Sequence, residues 1–324
     1  MEGVRVGRSG LQVSRLCLGT MIFGSQREQS EAFAIMDMAA ELGIDFIDVA
    51  DVYPVPPTSE TWGRTEEIVG AWLQGKREGF VVATKCVNRV GPARNDYGGS
   101  RKHVIEACET SLRRLKTDRV EVYYLHHSDL DAPIDETFEA LDRLVQDGKV
   151  LYVGVSNFEA WQVAMALEAI AKSNLARITV LQPRYNLLNR PYERDLLPLA
   201  RASGMGVVPY NPLGAGLLTG KYTRGGEPPA ESRFAQGDYG RMYQGRYWND
   251  RMFDVADAVA ELARDEGCTP AQLALAWLLA QPDVTAPIIG ASRPEQLVET
   301  AKAVGLSLSE ATLQRLDQVS QPFR

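Results

Sequence analysis

Four polar side chains lie at or just beyond the ends of three apolar, β-rich segments of the chain. Asp48 is at the end of the second segment and Tyr53 follows it, Lys85 ends the third, and His126 ends the fourth. Polar groups gathered at one rim are costly unless they are paired, and catalysis is one reason to gather them. The set suits hydride transfer to a carbonyl group, because the carbonyl oxygen then gains negative charge and must receive a proton.

Each of the four side chains has a role in such a reaction. Tyr53 is the predicted proton donor, although an unperturbed phenol, with a pKa of roughly 10, is a weak acid. A neighbouring Lys85 ammonium favours the phenolate and is expected to lower the pKa of Tyr53. Asp48 is expected to pair with Lys85, and His126 to hydrogen-bond the substrate oxygen and orient it.

Taken one at a time, the same residues have structural explanations. Asp48 and Lys85 could form a structural ion pair, Tyr53 could pack in a loop, and His126 could be a core histidine. Their occurrence together at successive strand ends favours catalysis. We predict no metal site, because the adjacent His126 and His127 point to opposite faces of a strand.

The segments that must position these residues alternate between strand and helix patterns. Apolar segments predict eight strands, at residues 16–19, 44–50, 80–85, 120–126, 150–156, 178–182, 206–210 and 284–290. Helical spacing predicts helices at 30–42, 101–115, 134–147, 158–173, 190–203, 251–266, 270–280, 295–303 and 310–319. Pro198 is expected to disturb the helix at 190–203.

Alternating strands and helices imply a parallel sheet, and eight such units in one chain point to a closed barrel. We therefore predict an α/β fold, a (β/α)8 TIM barrel that fills residues 1–324 as a single domain. Two strand-like pieces within residues 4–13 predict a hairpin that caps the barrel floor. Long loops at 88–100 and 221–250 follow strand ends, where barrels build active sites, and are candidate lids or specificity loops.

The composition excludes several function classes. The net charge is −7 and the 35 basic residues are scattered, which disfavours nucleic acid and anionic membrane surfaces as partners. The N-terminal residues resemble neither a signal nor a transit peptide, and the longest apolar run, 273–280, is too short to span a membrane; a cytoplasmic protein is expected. The four cysteines are well separated and are predicted to be free thiols: Cys17, Cys86, Cys108 and Cys268.

Five motifs follow one another along the chain: FIDVADVY at 46–53, ATK at 83–85, YLH at 124–126, GVSNF at 154–158 and GASRPEQL at 290–297. With them the sequence resembles the aldo-keto reductases over essentially its whole length. The resemblance implies a β/α barrel, a nicotinamide cofactor and a catalytic tetrad of Asp48, Tyr53, Lys85 and His126, with Tyr53 as the general acid.

The resemblance also implies where the nicotinamide is held. The family's Ser-Asn pair, Gln and stacking Tyr correspond to Ser156, Asn157, Gln182 and Tyr210. Amides and a hydroxyl suit a carboxamide, and a flat phenol suits an aromatic ring. Alternatively, Ser156 and Asn157 could cap the helix predicted to begin at 158. Further cofactor contacts are expected at Gly19, Thr20, Met21, Asp48, Asn211, Leu213 and Gly214.

The segment after the eighth strand is a candidate phosphate site. Gly290 follows that strand, and Ser292 and Glu295 have the spacing of a helix capping box. Free amides and the helix dipole make such a helix start an anion site. The resemblance implies that Arg293 binds the 2′-phosphate of the adenosine, so that NADPH is preferred over NADH.

Other cofactor contacts are implied further along the chain. Gln296 and Glu299 are expected near the adenine, and Thr300 stands where relatives usually have Asn, which puts one adenine contact in doubt. Lys221 and Arg233 match positions that bind the pyrophosphate or the 2′-phosphate, although solvated loop cations are an equal alternative. The run GAGLLTG at 214–220 is not a Rossmann loop, because it leads into a Pro- and Gly-rich loop and not into a long helix.

These observations predict an NADPH-dependent enzyme that reduces a small-molecule aldehyde or ketone. One alternative is an NADP-binding regulatory module, because SRKHVI at 100–105 resembles the potassium-channel β subunits; those subunits replace the residue equivalent to His126, so its presence favours a reductase. The other is a dehydrogenase that oxidises an alcohol or sugar with the same residues. Candidate aromatic side chains for the substrate pocket are Trp62, Tyr97, Phe158, Tyr243, Tyr247 and Trp248.

Overall fold

A computed structural model describes residues 1–230 and 232–324 of the chain. Within this part of the chain the strands are β1 (Gly3–Arg5), β2 (Gln12–Ser14), β3 (Cys17–Gly19), β4 (Phe46–Asp48), β5 (Val81–Cys86), β6 (Val120–Leu125), β7 (Val150–Ser156), β8 (Ile178–Gln182), β9 (Gly206–Val207) and β10 (Ile288–Ile289). The last eight form one parallel sheet in the order β10-β3-β4-β5-β6-β7-β8-β9.

The two ends of this sheet meet and close the barrel. Val207 on β9 pairs in parallel with Val284, which lies in the segment leading into β10. The Ile288 N–H then donates to the Pro209 carbonyl at 2.8 Å. The structure therefore confirms the predicted (β/α)8 barrel. Its last two strands are shorter than predicted because Pro209 and Pro287 lack the N–H that a strand ladder requires.

Helices cover the outer face of the barrel. In the described residues the α-helices are α1 (Gln29–Glu41), α2 (Arg64–Trp72), α3 (Arg101–Leu115), α4 (Ile134–Gln146), α5 (Ala160–Ser173), α6 (Leu196–Ser203), α7 (Gly237–Tyr247), α8 (Asp250–Asp265), α9 (Pro270–Leu279), α10 (Pro294–Ala301) and α11 (Glu310–Ser320). None of the helices among these residues has the length and apolar character needed to cross a lipid bilayer.

The effect expected of Pro198 is seen in the helix predicted at 190–203. A short 3-10 turn covers Pro191–Glu193, and the α-helix α6 begins only at Leu196. Pro198 thus lies in the first turn of α6, where a backbone N–H has no partner within the helix. The proline is tolerated at this position because the helix makes no hydrogen bond through that backbone nitrogen.

Side chains on each strand alternate between the barrel interior and the layer beneath the helices. On β4, Phe46 belongs to the interior cluster and Ile47 to the outer cluster. Asp48, two residues after Phe46, therefore points inward again. Lys85 does the same two residues after the interior Ala83. The strand period thus carries both charged side chains to the C-terminal mouth of the barrel.

The predicted N-terminal hairpin closes the opposite end. Strands β1 and β2 pair antiparallel, with Val4 opposite Val13. Val6 and Val13 are buried in the interior cluster, so the hairpin supplies the bottom layer of the barrel core. Gly7, at φ +55, lies so close to the end of α6 that the Arg8 N–H donates to the Gly204 carbonyl at 2.8 Å.

The segment predicted as a loop at 221–250 contains regular structure. It includes a 3-10 turn at Arg233–Ala235 and the helix α7. The aromatic rings of Phe234 and Trp248 pack edge to face, with their centroids 4.9 Å apart. The ring centroids of Tyr222 and Phe253 lie 5.3 and 5.2 Å from that of Trp248. This aromatic cluster supplies apolar packing for the segment. The sequence pattern did not predict that packing, because the segment contains many glycines and charged residues.

Candidate active site

Asp48 and Lys85 form a buried ion pair at the mouth of the barrel. Lys85 Nζ lies 2.5 Å from Asp48 Oδ1 and donates to the Val49 carbonyl at 2.8 Å. Gln182 Nε2 donates to Asp48 Oδ2 at 2.7 Å. Burial raises the pKa of Asp48, and the Lys85 ammonium opposes that rise. The predicted pair is present, and Gln182 belongs to it through a contact that the sequence did not predict.

Tyr53 is half-buried beside this pair, with its ring centroid 4.9 Å from Lys85 Nζ. We expected Lys85 to lower the pKa of Tyr53, and that expectation was wrong. Burial and then the Asp48 carboxylate raise the pKa of Tyr53 well above its ordinary value. The physical reason is that burial removes solvent from the phenolate and the Asp48 carboxylate repels its charge. The Tyr53 phenol consequently keeps its proton throughout the neutral pH range.

His126 follows β6, two residues after the inward-facing Tyr124. Its ring lies edge to face against Tyr53, with the ring centroids 5.9 Å apart. Burial lowers the pKa of His126 well below its usual value, and the Lys85 ammonium and His127 lower it further. His126 is therefore a neutral imidazole, and the structure places it and Tyr53 on the same side of the ion pair.

Asn88 is a neighbour of His126 that the sequence did not single out. It lies in the loop after β5, and its Nδ2 is 2.7 Å from His126 Nδ1. The only signal in the sequence was its position, three residues after Lys85 on the rim where active sites are built.

The histidine and cysteine side chains do not converge on one point. His127 turns away from His126 and places its Nδ1 2.9 Å from the Ser128 carbonyl oxygen. Among residues 1–230 and 232–324, no group of three His, Cys, Asp or Glu side chains could hold a metal ion. The cysteines are free thiols, as predicted: Cys17, Cys86, Cys108 and Cys268.

The residues expected at the nicotinamide are joined by hydrogen bonds. Ser156 Oγ donates to the Gln182 carbonyl at 2.8 Å, and Tyr210 donates its hydroxyl proton to Asn157 Oδ1 at 2.8 Å. Asn157, at φ +54, donates its amide to the His126 carbonyl at 2.9 Å. Helix α5 begins at Ala160 and is capped by Glu159, so Ser156 and Asn157 do not serve as its cap.

The other residues expected near the nicotinamide lie beside this group. Thr20 Oγ1 donates to the Asp48 carbonyl at 2.8 Å, which ties the end of β3 to β4. A Cβ at Gly19 would lie 2.7 Å from Ile288 Cγ2, so a larger residue there would require Ile288 to shift. Val55 N–H donates to the Met21 carbonyl at 2.8 Å. The end of β3 is therefore fixed against both the tetrad strand and the loop after Tyr53.

A tight turn follows Tyr210 on the other side of the barrel mouth. Asn211 is at φ +59, and its Oδ1 accepts the Ala215 N–H at 2.7 Å. Leu213 is only partly buried, and Gly214 is at φ +55. The Gly214 and Gly216 N–H groups donate to the Asn211 and Leu213 carbonyls at 3.1 and 2.9 Å, so the turn is held by its own hydrogen bonds.

The expected phosphate site differs from the prediction in one detail. Gly290 leads into α10, whose N-cap is Arg293 and not Ser292, so the predicted capping box with Glu295 is absent from these described residues. Instead, the Ser292 N–H and Oγ both donate to Gln296 Oε1, at 2.8 and 3.1 Å. The capping oxygen comes from within the helix, and the Arg293 side chain remains exposed.

The predicted adenine contacts lie further along α10. Thr300 Oγ1 donates to the Gln296 carbonyl at 2.6 Å, which occupies its hydroxyl within the helix. The Glu299 side chain is exposed, and its backbone carbonyl accepts from Gln272 Nε2 at 2.9 Å. Of this set, the Gln296 amide nitrogen and the Glu299 carboxylate have the freedom to meet a ligand.

Lys221 and Arg233 lie near each other on the segment that covers the barrel mouth. Burial and then the Arg233 charge lower the pKa of Lys221. The Arg233 guanidinium lies over the Tyr243 ring at 5.4 Å, and its charge partly opposes the rise in the pKa of Tyr53. The structure thus brings both predicted cations to the mouth side of the barrel, and Arg233 close to the tetrad.

The candidate pocket aromatics divide into two groups. Tyr247 is buried in the core, and Trp248 belongs to the aromatic cluster described above. Phe158 is buried and lines a pocket together with Phe138 and Trp161. Trp62 and Tyr97 keep exposed surface, and Tyr243 lies close enough to Tyr53 to influence its pKa.

Comparisons with known proteins identify the family. Residues 15–321 match the aldo/keto reductase family. The uncharacterized oxidoreductase YrpG of Bacillus subtilis is 39% identical over 332 residues, covering 98% of this chain and 96% of that relative. A probable voltage-gated potassium channel subunit beta of Arabidopsis thaliana is 36% identical over 328 residues (99% and 97%). The L-glyceraldehyde 3-phosphate reductase of Escherichia coli K12 is 34% identical over 320 residues (96% and 90%). With its closed barrel and these similarities, the chain is an oxidoreductase that belongs to the aldo/keto reductase family.

Proposed function

We propose that the chain reduces a small-molecule aldehyde or ketone to an alcohol with NADPH as the hydride donor. One observation carries the proposal: a phenol that keeps its proton and a neutral imidazole lie side by side, their rings 5.9 Å apart, above a buried ammonium-carboxylate pair. A proton donor and a second hydrogen-bond donor at one point suit a carbonyl oxygen that becomes negative.

The residues around the barrel mouth fit a dinucleotide. Ser156 and Asn157 supply a hydroxyl and an amide near the tetrad, and Tyr210 supplies a flat ring beside them. Arg293 projects an exposed guanidinium from the start of α10, which suits an additional phosphate and supports NADPH over NADH.

In this reaction the bound cofactor supplies a hydride to the carbonyl carbon. Tyr53 donates its phenolic proton to the carbonyl oxygen, which completes the alcohol. The Lys85 ammonium stabilises the phenolate left on Tyr53 until solvent returns a proton, and Asp48 holds Lys85 in place. His126, being neutral, donates a hydrogen bond to the substrate oxygen and orients it toward Tyr53.

A second candidate function, an NADP-binding regulatory module, is favoured by the 36% identity to a probable potassium channel β subunit. The oxidation of an alcohol by the same residues is a matter of direction, because a catalyst accelerates both directions of one reaction. The name of the Escherichia coli relative suggests that the substrate panel should include a phosphorylated aldehyde.

The deciding experiment is a carbonyl panel followed by the loss of NADPH absorbance. The panel includes 4-nitrobenzaldehyde, a simple aliphatic aldehyde, a ketone and glyceraldehyde 3-phosphate, each tested with NADPH and with NADH. We expect turnover of at least one aldehyde with NADPH. Tight NADPH binding without turnover of any member, in either direction, would support the regulatory module and contradict the reductase.

A further inference from the structure

Asn88 contacts the Nδ1 ring nitrogen of His126 and leaves Nε2 free of this contact. Its Nδ2 is 2.7 Å from His126 Nδ1. With the Asn88 amide in this orientation, its nitrogen carries two hydrogens and donates, and His126 Nδ1 is the acceptor. A neutral imidazole that accepts through Nδ1 carries its single proton on Nε2.

The backbone before Asn88 is held in an uncommon conformation that directs it toward His126. Val87 is at φ +93, a region that β-branched residues rarely adopt. It is buried, and its carbonyl accepts the Gly98 N–H at 2.9 Å, which closes the loop at 88–97. Strained residues of this kind persist where the surrounding structure enforces them, and they cluster at functional sites.

We propose that Asn88 is a positioning residue that fixes His126 in the tautomer protonated on Nε2, so that the ring always presents an N–H donor to the substrate carbonyl oxygen. Without a donor at Nδ1, a neutral histidine exchanges between two tautomers, one of which offers the substrate only a lone pair. The tautomer follows from the orientation of the Asn88 amide; its catalytic consequence rests on the proposed function.

The surroundings of His126 leave this choice to Asn88. Among the described residues, the titratable groups that face the ring are Lys85 on β5, His127 next to it on the chain, and Tyr53 after β4. Burial, and then the Lys85 ammonium, lower the pKa of His126 and keep it neutral without selecting which nitrogen is protonated.

Asn88→Asp is the informative substitution, because a carboxylate accepts hydrogen bonds and donates none. The introduced carboxylate favours a proton on Nδ1 and raises the pKa of His126. The variant keeps an Nε2 donor only while the ring is a cation, so its kcat should fall as pH rises through that pKa. At about pH 8 we expect a loss of about 10- to 100-fold, the effect of one hydrogen bond to a developing charge. The wild-type protein should show no such fall between about pH 6 and 9, because its His126 stays neutral there.

Two controls separate this effect from a structural one. Asn95→Asp makes the same chemical change at an exposed side chain of the same loop and should leave the pH profile unchanged. Asn88→Ala removes the donor without adding a charge and should give a smaller, pH-independent loss in kcat. The affinity for NADPH, measured by fluorescence, should be unchanged in all three variants.

The tautomer is measured directly by the 15N chemical shifts of the histidine rings, which require no substrate. The chain has three histidines, and His103→Gln and His127→Gln assign the signals. We expect the Nε2-protonated form at His126 in the wild type and its loss in Asn88→Asp, or in Asn88→Ala if the aspartate variant does not fold. An Nδ1-protonated or cationic His126 in the wild type at neutral pH overturns the proposal, as does an Asn88→Asp pH profile that superimposes on the wild type. If no carbonyl is reduced, the proposed function fails, while the NMR result still decides the tautomer.

Discussion

At the scale of single residues, the Asp48 carboxylate determines how Lys85 acts on Tyr53. Asp48 Oδ1 is 2.5 Å from Lys85 Nζ, whereas the Tyr53 ring centroid is 4.9 Å from it. The nearer carboxylate offsets the ammonium charge, and the pKa of Tyr53 rises with burial. Tyr53 is therefore poised as a proton donor and not as a phenolate, which is the protonation state that carbonyl reduction requires.

Tyr53→Phe should retain NADPH binding and lose carbonyl reduction. The substitution removes the proton donor and keeps the ring, and general acid catalysis contributes about 10²- to 10⁴-fold. Steady-state kinetics gives kcat, and cofactor fluorescence gives the dissociation constant of NADPH. Tyr152→Phe, on β7 near the opposite end of the barrel, is the matched control and should leave both unchanged. Turnover within about threefold of the wild type would contradict the role of Tyr53.

The residues that the sequence pointed to are those with a strand-end position and a distinctive chemistry. Asp48 and Lys85 were predicted from their positions at the ends of neighbouring strands, and the structure pairs them. Asn88 was missed because a loop has no period that reveals where a side chain points. The sequence did not predict the direction of the pKa shift of Tyr53. That direction depends on the burial of Tyr53 and on its distance from Asp48, neither of which can be read from the sequence.

At the scale of elements, the hydrophobic pattern of the sequence predicted where most strands and helices lie more accurately than it predicted where they begin and end. Prolines decided several boundaries: Pro209 and Pro287 shorten β9 and β10, and Pro198 is compatible with α6 only in its first turn. Helix α7 was not predicted, because its segment is rich in Gly and Tyr and its contacts include hydrogen bonds to the Tyr247 hydroxyl from the distant Asn186 and Asn211. Local sequence does not contain those contacts.

The start of α10 provides a prediction about cofactor choice. Arg293→Ala should weaken NADPH binding by about 10- to 100-fold, the effect of losing a hydrogen bond between charged groups, and should barely affect NADH. Titrations of both cofactors measure the two dissociation constants. Arg315→Ala, at an exposed arginine of α11, is the control. Equal weakening of both cofactors would remove the argument for a 2′-phosphate contact at Arg293.

The N-terminal hairpin provides a prediction about stability. A Cβ at Gly7 would lie 2.3 Å from the Gly204 carbonyl oxygen, and its φ of +55 is strained for any other residue. Gly7→Ala should therefore lower the free energy of unfolding by about 2 kcal/mol or more. Gly10→Ala, in the same hairpin, meets nothing within 4 Å and should change it little. Denaturant unfolding measures the free energy of unfolding of the two variants. A loss for Gly7→Ala no larger than the loss for Gly10→Ala would contradict the predicted clash at Gly7.

At the scale of the whole molecule, the stability of the barrel depends on carboxyl groups that it buries. Asp51 lies 1% exposed, and no side chain among the described residues donates to its oxygens. Its neighbour Glu66 is buried too, accepts from Thr84 Oγ1 at 2.6 Å and contacts Arg114 at 3.2 Å. Burial and then the Glu66 charge raise the pKa of Asp51 well above its ordinary value.

A raised carboxyl pKa makes stability fall as pH rises. Between the unfolded pKa of about 3.9 and the higher folded pKa, the folded chain holds a proton that the unfolded chain releases, so the stabilisation is lost as pH increases through that window. Asp51→Asn removes this linkage. Its free energy of unfolding, relative to the wild type, should therefore rise with pH by up to about 1.4 kcal/mol per pH unit across the window.

Denaturant unfolding of both proteins at several values from about pH 4.5 to 8 measures this difference, and contributions from other titrating groups cancel in the comparison. Asp131→Asn, at an exposed aspartate, is the control and should give a difference that does not change with pH. A constant difference between Asp51→Asn and the wild type would mean that Asp51 is ionised in the folded protein. In that case the Arg114 and Lys85 cations would outweigh the effects of burial and of the Glu66 carboxylate on Asp51.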